Sequence, residues 1–205
     1  MAATEAAIKG EDKREKLLQA AARCFIASGF HGARMAQIAK EAQMSPGHIY
    51  HYFESKEQII AEMVRAHALE KQSTLEKYER AGDQVVDLMV ENLDESVDSS
   101  TDPFWSALML EMTAEATRNP EIASILRNAD AEMKARVLAC LGEAVEAGDL
   151  ETRLEILVAL FQGLGVRNIL NPALDKAAVA RLVKGIVEAL LRRNGEGEID
   201  EARAF

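Results

Sequence analysis

Apolar positions recur at helical spacing along most of the chain, and capping residues, glycine and proline mark the breaks between the stripes. Between Arg34 and Glu57 the stripes become short. Ile38, Ala39 and Ala42 keep a helical period, Gln43 and Met44 interrupt it, and Ser45-Pro46 reads as an N-cap hydroxyl followed by proline at the first helical position. A helix starting at Pro46 has room for about two turns, because Ser55 with Gln58 three residues on is a capping-box signal for the next helix. The pattern predicts a helix, a tight turn, a very short helix and the start of a third.

Beyond Ser55 every stripe reads as helix. Ile59, Ile60, Met63, Val64 and Ala68 begin a long connector running toward Tyr78, and Gly82-Asp83 opens a helix through Val85, Leu88, Met89 and Leu93 to about Val97. Asp102-Pro103 starts a helix carrying Phe104, Trp105, Leu108, Met109 and Met112, which stops near Asn119-Pro120. Glu121 to Ala147 is a long amphipathic helix ended by Gly148. Leu154 to Val166 is apolar nearly all round, with Ala159 and Gly163 four apart so that another helix could approach closely; Pro172 closes it. Ala177 to Leu191 adds Val179, Leu182, Val183, Ile186, Val187 and Leu190. No strand signal or repeat occurs. The expected fold class is all-α with about nine helices: a flexible arm over 1–12, a three-helix head over 13–56, a helical body over 57–194 and a mobile acidic tail over 195–205.

The short helix carries the chemistry. Ile49 and Phe53, four apart and with Tyr52 beside them, form its packing side. Gly47, Tyr50 and His51 then point outward, with Pro46 and His48 at the rim. A glycine inside a helix costs about 1 kcal/mol relative to alanine, so these residues look suited to contact rather than to stability. Gly47 admits a close backbone, Tyr50 and His51 can meet phosphates or base edges, and the helix N-terminus at Pro46 favours an anion. Lys56 opposes the dipole of the following helix, which a bound phosphate would offset. The competing reading is an aromatic-rich corner of the core, with Lys56 an ordinary solvated lysine.

These residues carry a resemblance. Arg14-Glu15-Lys16-Leu17-Leu18-Gln19-Ala20-Ala21 leading to Phe25 and Ser28-Gly29-Phe30, then Ile38-Ala39-Lys40-Glu41-Ala42, then Ser45 to Phe53 followed by Ser55-Lys56-Glu57, resemble the DNA-binding domain of tetracycline-repressor (TetR) family regulators over residues 13–60. The resemblance implies a helix-turn-helix in which Arg34, Gln37, Ser45, Pro46, Gly47, His48, Tyr50, His51, Tyr52 and Lys56 meet double-stranded DNA. Two positions depart from the family pattern. Ala33-Arg34 stands where the family has a capping Thr or Ser, and Gln43 stands at the turn glycine, where a left-handed backbone is expected.

The resemblance also implies that the last two helices make a four-helix dimer interface with a second copy through Leu160, Gly163, Leu164, Val183, Val187 and Leu190, the alternative being a purely internal core. It further implies an effector cavity among the middle helices. Candidate walls are His67, Trp105, Leu108, Met109, Met112 and Phe161, suited to a lipophilic small molecule, although such a stripe is more often plain core. Glu111 and Glu115 either face that cavity or are solvated or paired with Arg118, and His67 is either a wall or a structural histidine.

Charge and cysteine refine this picture. The formal net charge is -10, which argues against sequence-independent binding to nucleic acid. Yet residues 1–56 hold 8 Lys/Arg and 6 Asp/Glu, net +2, with three of the four histidines, leaving -12 for the remainder. The positive end coincides with the predicted head. Cys24 and Cys140 suggest neither a disulfide scaffold nor a metal site, and the expectation is no metal and no cofactor. No run reaches the roughly 18 apolar residues of a membrane span and no signal-peptide core is seen, so a cytoplasmic protein with no membrane partner is expected. Neither a phosphate-binding glycine loop nor a nucleophile motif points to an enzyme. The sequence therefore reads as a homodimeric repressor of a palindromic operator, released by a small-molecule effector. The alternative is a DNA-associated protein whose body recruits a protein partner.

Overall fold

The computed structural model describes residues 2–142, 145 and 149–192, of which 2–12 are described by backbone alone. Gly148 and the 195–205 tail lie outside the described residues. The described elements are helices α1 Ala2–Gly32, α2 Met35–Glu41, α3 Lys56–Ala81, α4 Val85–Glu91, α5 Leu93–Ser100, α6 Pro103–Ala116, α7 Pro120–Leu141, α8 Leu150–Leu170 and α9 Lys176–Leu191, with short 3-10 turns at Ile49–His51 and Gly82–Gln84. The all-α class holds, with no strand among the described residues. The backbone of α1 is helical through the stretch read as an arm.

Packing divides the chain into two units, one made of residues up to Gln72 with Pro103–Glu132, the other of Ser73–Asp102 with Met133 onward. The stretch 13–56 expected to form the head falls inside the first unit, which also takes in residues expected to belong to the body. In that unit α1 buries Leu17, Ala20, Ala21, Cys24 and Phe25 at the spacing of one helical face. Gly29 then breaks the helix with φ +73° and ψ 164°, a conformation glycine adopts without side-chain strain, and Phe30 and Ala33 return to the core. Ile38, Ile49, Phe53, Ile59 and Ile60 close around them, joined by Leu108 and Met112 of α6 and Ile122 of α7.

Helix boundaries follow local hydrogen bonding. Ser55 Oγ accepts the Gln58 N–H at 3.1 Å, and Gln58 Oε1 reaches back to the Glu54 N–H at 2.6 Å, one residue before the position a standard capping box uses. Asn119 Oδ1 accepts the N–H groups of Glu121 and Ile122 at the start of α7, and Asp175 caps α9 through Ala178 N–H at 2.9 Å. The single helix expected from Val85 to Val97 is two. The Asn92 side chain donates to the Leu88 carbonyl at 2.9 Å, as does its backbone N–H at 3.1 Å, and the chain turns before α5.

The second unit is built from α4, α5, α8, α9 and the end of α7 around Val85, Leu141, Leu157, Val183, Val187 and Leu191. Buried polar groups inside it are paired. Buried Asn168 of α8 donates through Nδ2 to the Thr101 carbonyl at 2.8 Å, while Thr101 Oγ1 donates to the Val97 carbonyl at 2.7 Å.

Candidate nucleic-acid interface

Residues 45 to 53 form a tighter structure than a two-turn α-helix. His48 N–H bonds to the Ser45 carbonyl at 2.9 Å, His51 to His48 at 3.2 Å and Tyr52 to Ile49 at 2.9 Å, all three-residue bonds, and only Phe53 to Ile49 at 3.0 Å is of α type. The expected helix from Pro46 is thus a turn followed by the 3-10 segment Ile49–His51. So short an element sums few peptide dipoles, which removes the argument for anion attraction at Pro46.

The division of faces nevertheless follows the pattern. Ile49 and Phe53 are fully buried and Tyr52 half-buried, whereas Tyr50 is 57% exposed and Ser45, Pro46, Gly47 and His51 are exposed. His48 is half-buried, its ring edge-on to those of His51 at 5.5 Å and Tyr52 at 5.4 Å. A β-carbon on Gly47 would meet nothing within 4 Å, so packing inside this subunit does not demand the glycine. From the other side, the Arg14 guanidinium stands 4.7 Å from the Phe53 ring centroid and pairs with Glu62 at 3.2 Å. These contacts bind the turn to α1 and α3.

Arg34 and Gln37 are exposed, at the start of α2. Arg34 occupies the N-cap position with no side-chain cap bond, so the missing hydroxyl is not replaced. Gln43 has φ +58°, the left-handed turn conformation expected there, carried by a non-glycine residue.

Lys56 departs from expectation. Its ammonium donates to the Phe30 carbonyl and sits 4.2 Å from the centroid of the Phe30 ring, so it ties α3 to the end of α1 instead of pointing to a phosphate. Burial lowers its pKa, opposed by the charges of Glu57 and Glu115.

Five of the six expected cavity walls lie in the first unit and Phe161 lies in the second. Leu108 and Met112 are buried among Phe25, Ile60 and Ile122 as filled core, with Met109 and Trp105 packed against it, while Phe161 packs on the cluster of the second unit. His67 and Trp105 do meet, their rings stacked at 3.7 Å and 16°. Burial, then Lys71, push the His67 pKa down, partly offset by Glu70, whose carboxylate lies 3.5 Å from Nδ1. A cleft of about 470 Å³ opens between the start of α3 at Glu54, Glu57 and Ala61 and the face of α7 at Ser124, Ile125 and Asn128; none of the expected walls lines it. Glu111 and Glu115 are engaged as well. Glu111 Oε1 accepts the Phe30 N–H at 2.8 Å, and Glu115 pairs with Arg118 at 2.7 Å.

Residues 17–63 match the family model described as "Bacterial regulatory proteins, tetR family", and residues 81–192, more than half of the chain, match "BetI-type transcriptional repressor, C-terminal". The chain belongs to the TetR family. Among relatives of this TetR-family regulator, the HTH-type transcriptional regulator UidR of Escherichia coli K12 is 31% identical over 145 residues, covering 69% of this chain and 71% of that protein. The HTH-type transcriptional regulator BetI of Rhizobium meliloti is 28% identical, covering 93% of this chain and 95% of that protein. The solved structure of Salmonella enterica GusR superposes with a TM-score of 0.68 at 30% identity, covering 88% of this chain and 95% of that one. The protein is a helix-turn-helix transcriptional repressor of this family, and no helix among its described residues is long and apolar enough to cross a membrane.

For this TetR-family chain the expected dimer residues divide. Val183 and Val187 are buried in their own subunit's core, and Leu160, Leu164 and Leu190 are half-buried against it, because the inward stripe of α9 runs Ala180, Val183, Val187, Leu191. Gly163 also keeps an open side, where an added β-carbon would meet nothing within 4 Å. The apolar side chains left exposed are others: Ile156, Val166, Ile169 and Leu170 on α8, and Leu182 and Ile186 on α9. The α9 period places these one residue before Val183 and Val187. With a continuous apolar run, sequence alone does not say which of the two adjacent stripes faces inward.

Proposed function

We propose that this repressor works as a cytoplasmic homodimer that sets the turn Ser45–Phe53 of each subunit into a DNA major groove, on palindromic half-sites one helical turn or a multiple apart, about 34 to 36 Å each. One observation carries the reading. A single short turn buries Ile49 and Phe53 completely while presenting Gly47, Tyr50 and His51 to solvent, with open space at Gly47 for an approaching backbone. Arg34 and Gln37 supply flanking contacts from α2.

The exposed apolar side chains of α8 and α9 support pairing with a second copy, since six large apolar residues on two consecutive helices exceed the single exposures usual on a monomer surface. A lipophilic effector then meets the body at the His67–Trp105 stack and changes the separation of the two reading turns, so that both no longer reach their grooves together.

The test is enrichment of duplexes from a random DNA pool by the purified protein, followed by titration of the enriched duplex at increasing salt. A palindrome bound with a steep salt dependence is expected. Enrichment of unrelated sequences, or affinity unchanged by Tyr50→Ala, would sink the assignment.

A further inference from the structure

Two carboxylates of α6 lie against the end of α1, all within the first unit. Glu111 Oε1 accepts the Phe30 N–H directly after the kink at Gly29, and a β-carbon at Gly29 would stand 3.2 Å from that same oxygen. Carboxylate and glycine are fitted to each other. One helical turn on, Glu115 is 0% exposed. Its Oε2 accepts from Arg118 Nε at 2.7 Å, while its Oε1 stands 3.2 Å from His31 Nε2 without hydrogen-bond geometry and has no hydrogen-bond partner. Lys56 in turn donates to the Phe30 carbonyl and covers the Phe30 ring. The peptide groups of Phe30 are therefore held by α6 through the N–H and by the first residue of α3 through the carbonyl. Lys56 follows Phe53, the buried anchor of the reading turn, by three residues.

A buried carboxylate with one oxygen lacking a hydrogen bond is a poor source of stability. We infer that Glu111 and Glu115 are positioning residues for operator binding: without touching DNA, they fix the Gly29–His31 turn and, through Phe30 and Lys56, the orientation of the reading turn. A displacement of α6 must carry that turn with it or break these contacts, which makes the clamp one point where a change in the body reaches the head. The inference rests on the Ser45–Phe53 turn being the DNA contact.

The experiment measures the affinity of the full-length protein for the duplex enriched by the unsubstituted chain, together with melting temperature and amide exchange at Phe30. Glu111→Ala should weaken binding about five- to tenfold and speed exchange at Phe30. Glu111→Gln keeps an acceptor for that N–H and should stay within about twofold. Glu115→Gln, which removes the charge paired with Arg118, should weaken binding about threefold at an unchanged melting temperature. Unchanged affinity for Glu111→Ala with a lowered melting temperature, or Glu111→Gln as weak as Glu111→Ala, overturns the inference. Should Glu111→Ala lose its helical signal, Glu115→Gln decides: weaker binding supports the clamp, and unaltered binding overturns it. If the unsubstituted protein enriches no duplex, the DNA-contact reading itself falls and the clamp with it, an outcome distinct from a bound duplex indifferent to both glutamates.

Discussion

In the first unit the large apolar side chains within 13–56, Leu17, Phe25, Ile38, Ile49 and Phe53, are sealed inside one subunit, whereas the α8–α9 pair of the second leaves Leu170 69% and Leu182 75% exposed. The first unit has exposed apolar residues too, but Ile26, Leu69, Phe104 and Leu110 are spread over α1, α3 and α6. The second concentrates six on two consecutive helices. A head that must hold a few side chains in register needs a core complete within the subunit. A helix pair that needs a symmetry mate leaves part of its apolar surface open until the mate arrives.

The sharpest way to break this contrast is to charge the open side. Leu182→Glu combined with Ile186→Glu should give monomers by sedimentation velocity and lower operator affinity on the order of 10²- to 10⁴-fold, the loss of two-site binding. A double variant that remains dimeric refutes the assigned surface. Truncating the sealed core by Phe53→Ala should instead cost about 3–5 kcal/mol in denaturant unfolding, because the ring leaves a cavity and Arg14 loses its stacking partner.

Smaller effects sharpen the split within the head. Tyr50→Ala should weaken operator binding by about tenfold, as for loss of one good DNA contact, and leave unfolding within about 0.5 kcal/mol. Lys56→Ala should lower stability by about 1–2 kcal/mol through loss of its carbonyl and ring contacts, visible without DNA. Equal melting curves for Lys56→Ala and the unsubstituted protein would return Lys56 to the set of phosphate ligands.

The smallest effect concerns pH. The folded pKa of His67 lies below its unfolded value of about 6.5. Between the two values the unfolded chain binds more protons, so the stabilising contribution of neutral His67 is complete above the unfolded pKa and is lost as pH falls through the folded one. On acidification from about pH 7.5 to about pH 5.5, the melting temperature of the unsubstituted protein should drop further than that of His67→Gln. Parallel decreases would show that the stack on Trp105 does not govern titration.

The period of apolar residues and the caps made the helices legible, including the start of α6 at Pro103, while the left-handed residue at Gln43 was legible through the family resemblance. Ile49 and Phe53 against Tyr50 and His51 were legible because a two-sided short element leaves few ways to face the core. Three features were not. The 3-10 winding of the reading turn depends on bond lengths between near neighbours that residue types do not specify. The break at Asn92 required its amide to choose the Leu88 carbonyl. Lys56 looked like a phosphate ligand because its partner, the Phe30 carbonyl, is a backbone group 26 residues away.

The Asn168–Thr101 contact gives the second unit a detent. A slip of α8 by one helical turn, about 5.4 Å, that brings Leu164 to the Thr101 carbonyl would leave both that carbonyl and the Asn168 amide without this partner. Sliding of α8 along its axis is therefore quantised against, while rotation of α5 and α8 together leaves the bond intact. Axial movement of either helix must therefore carry the other with it or break this bond.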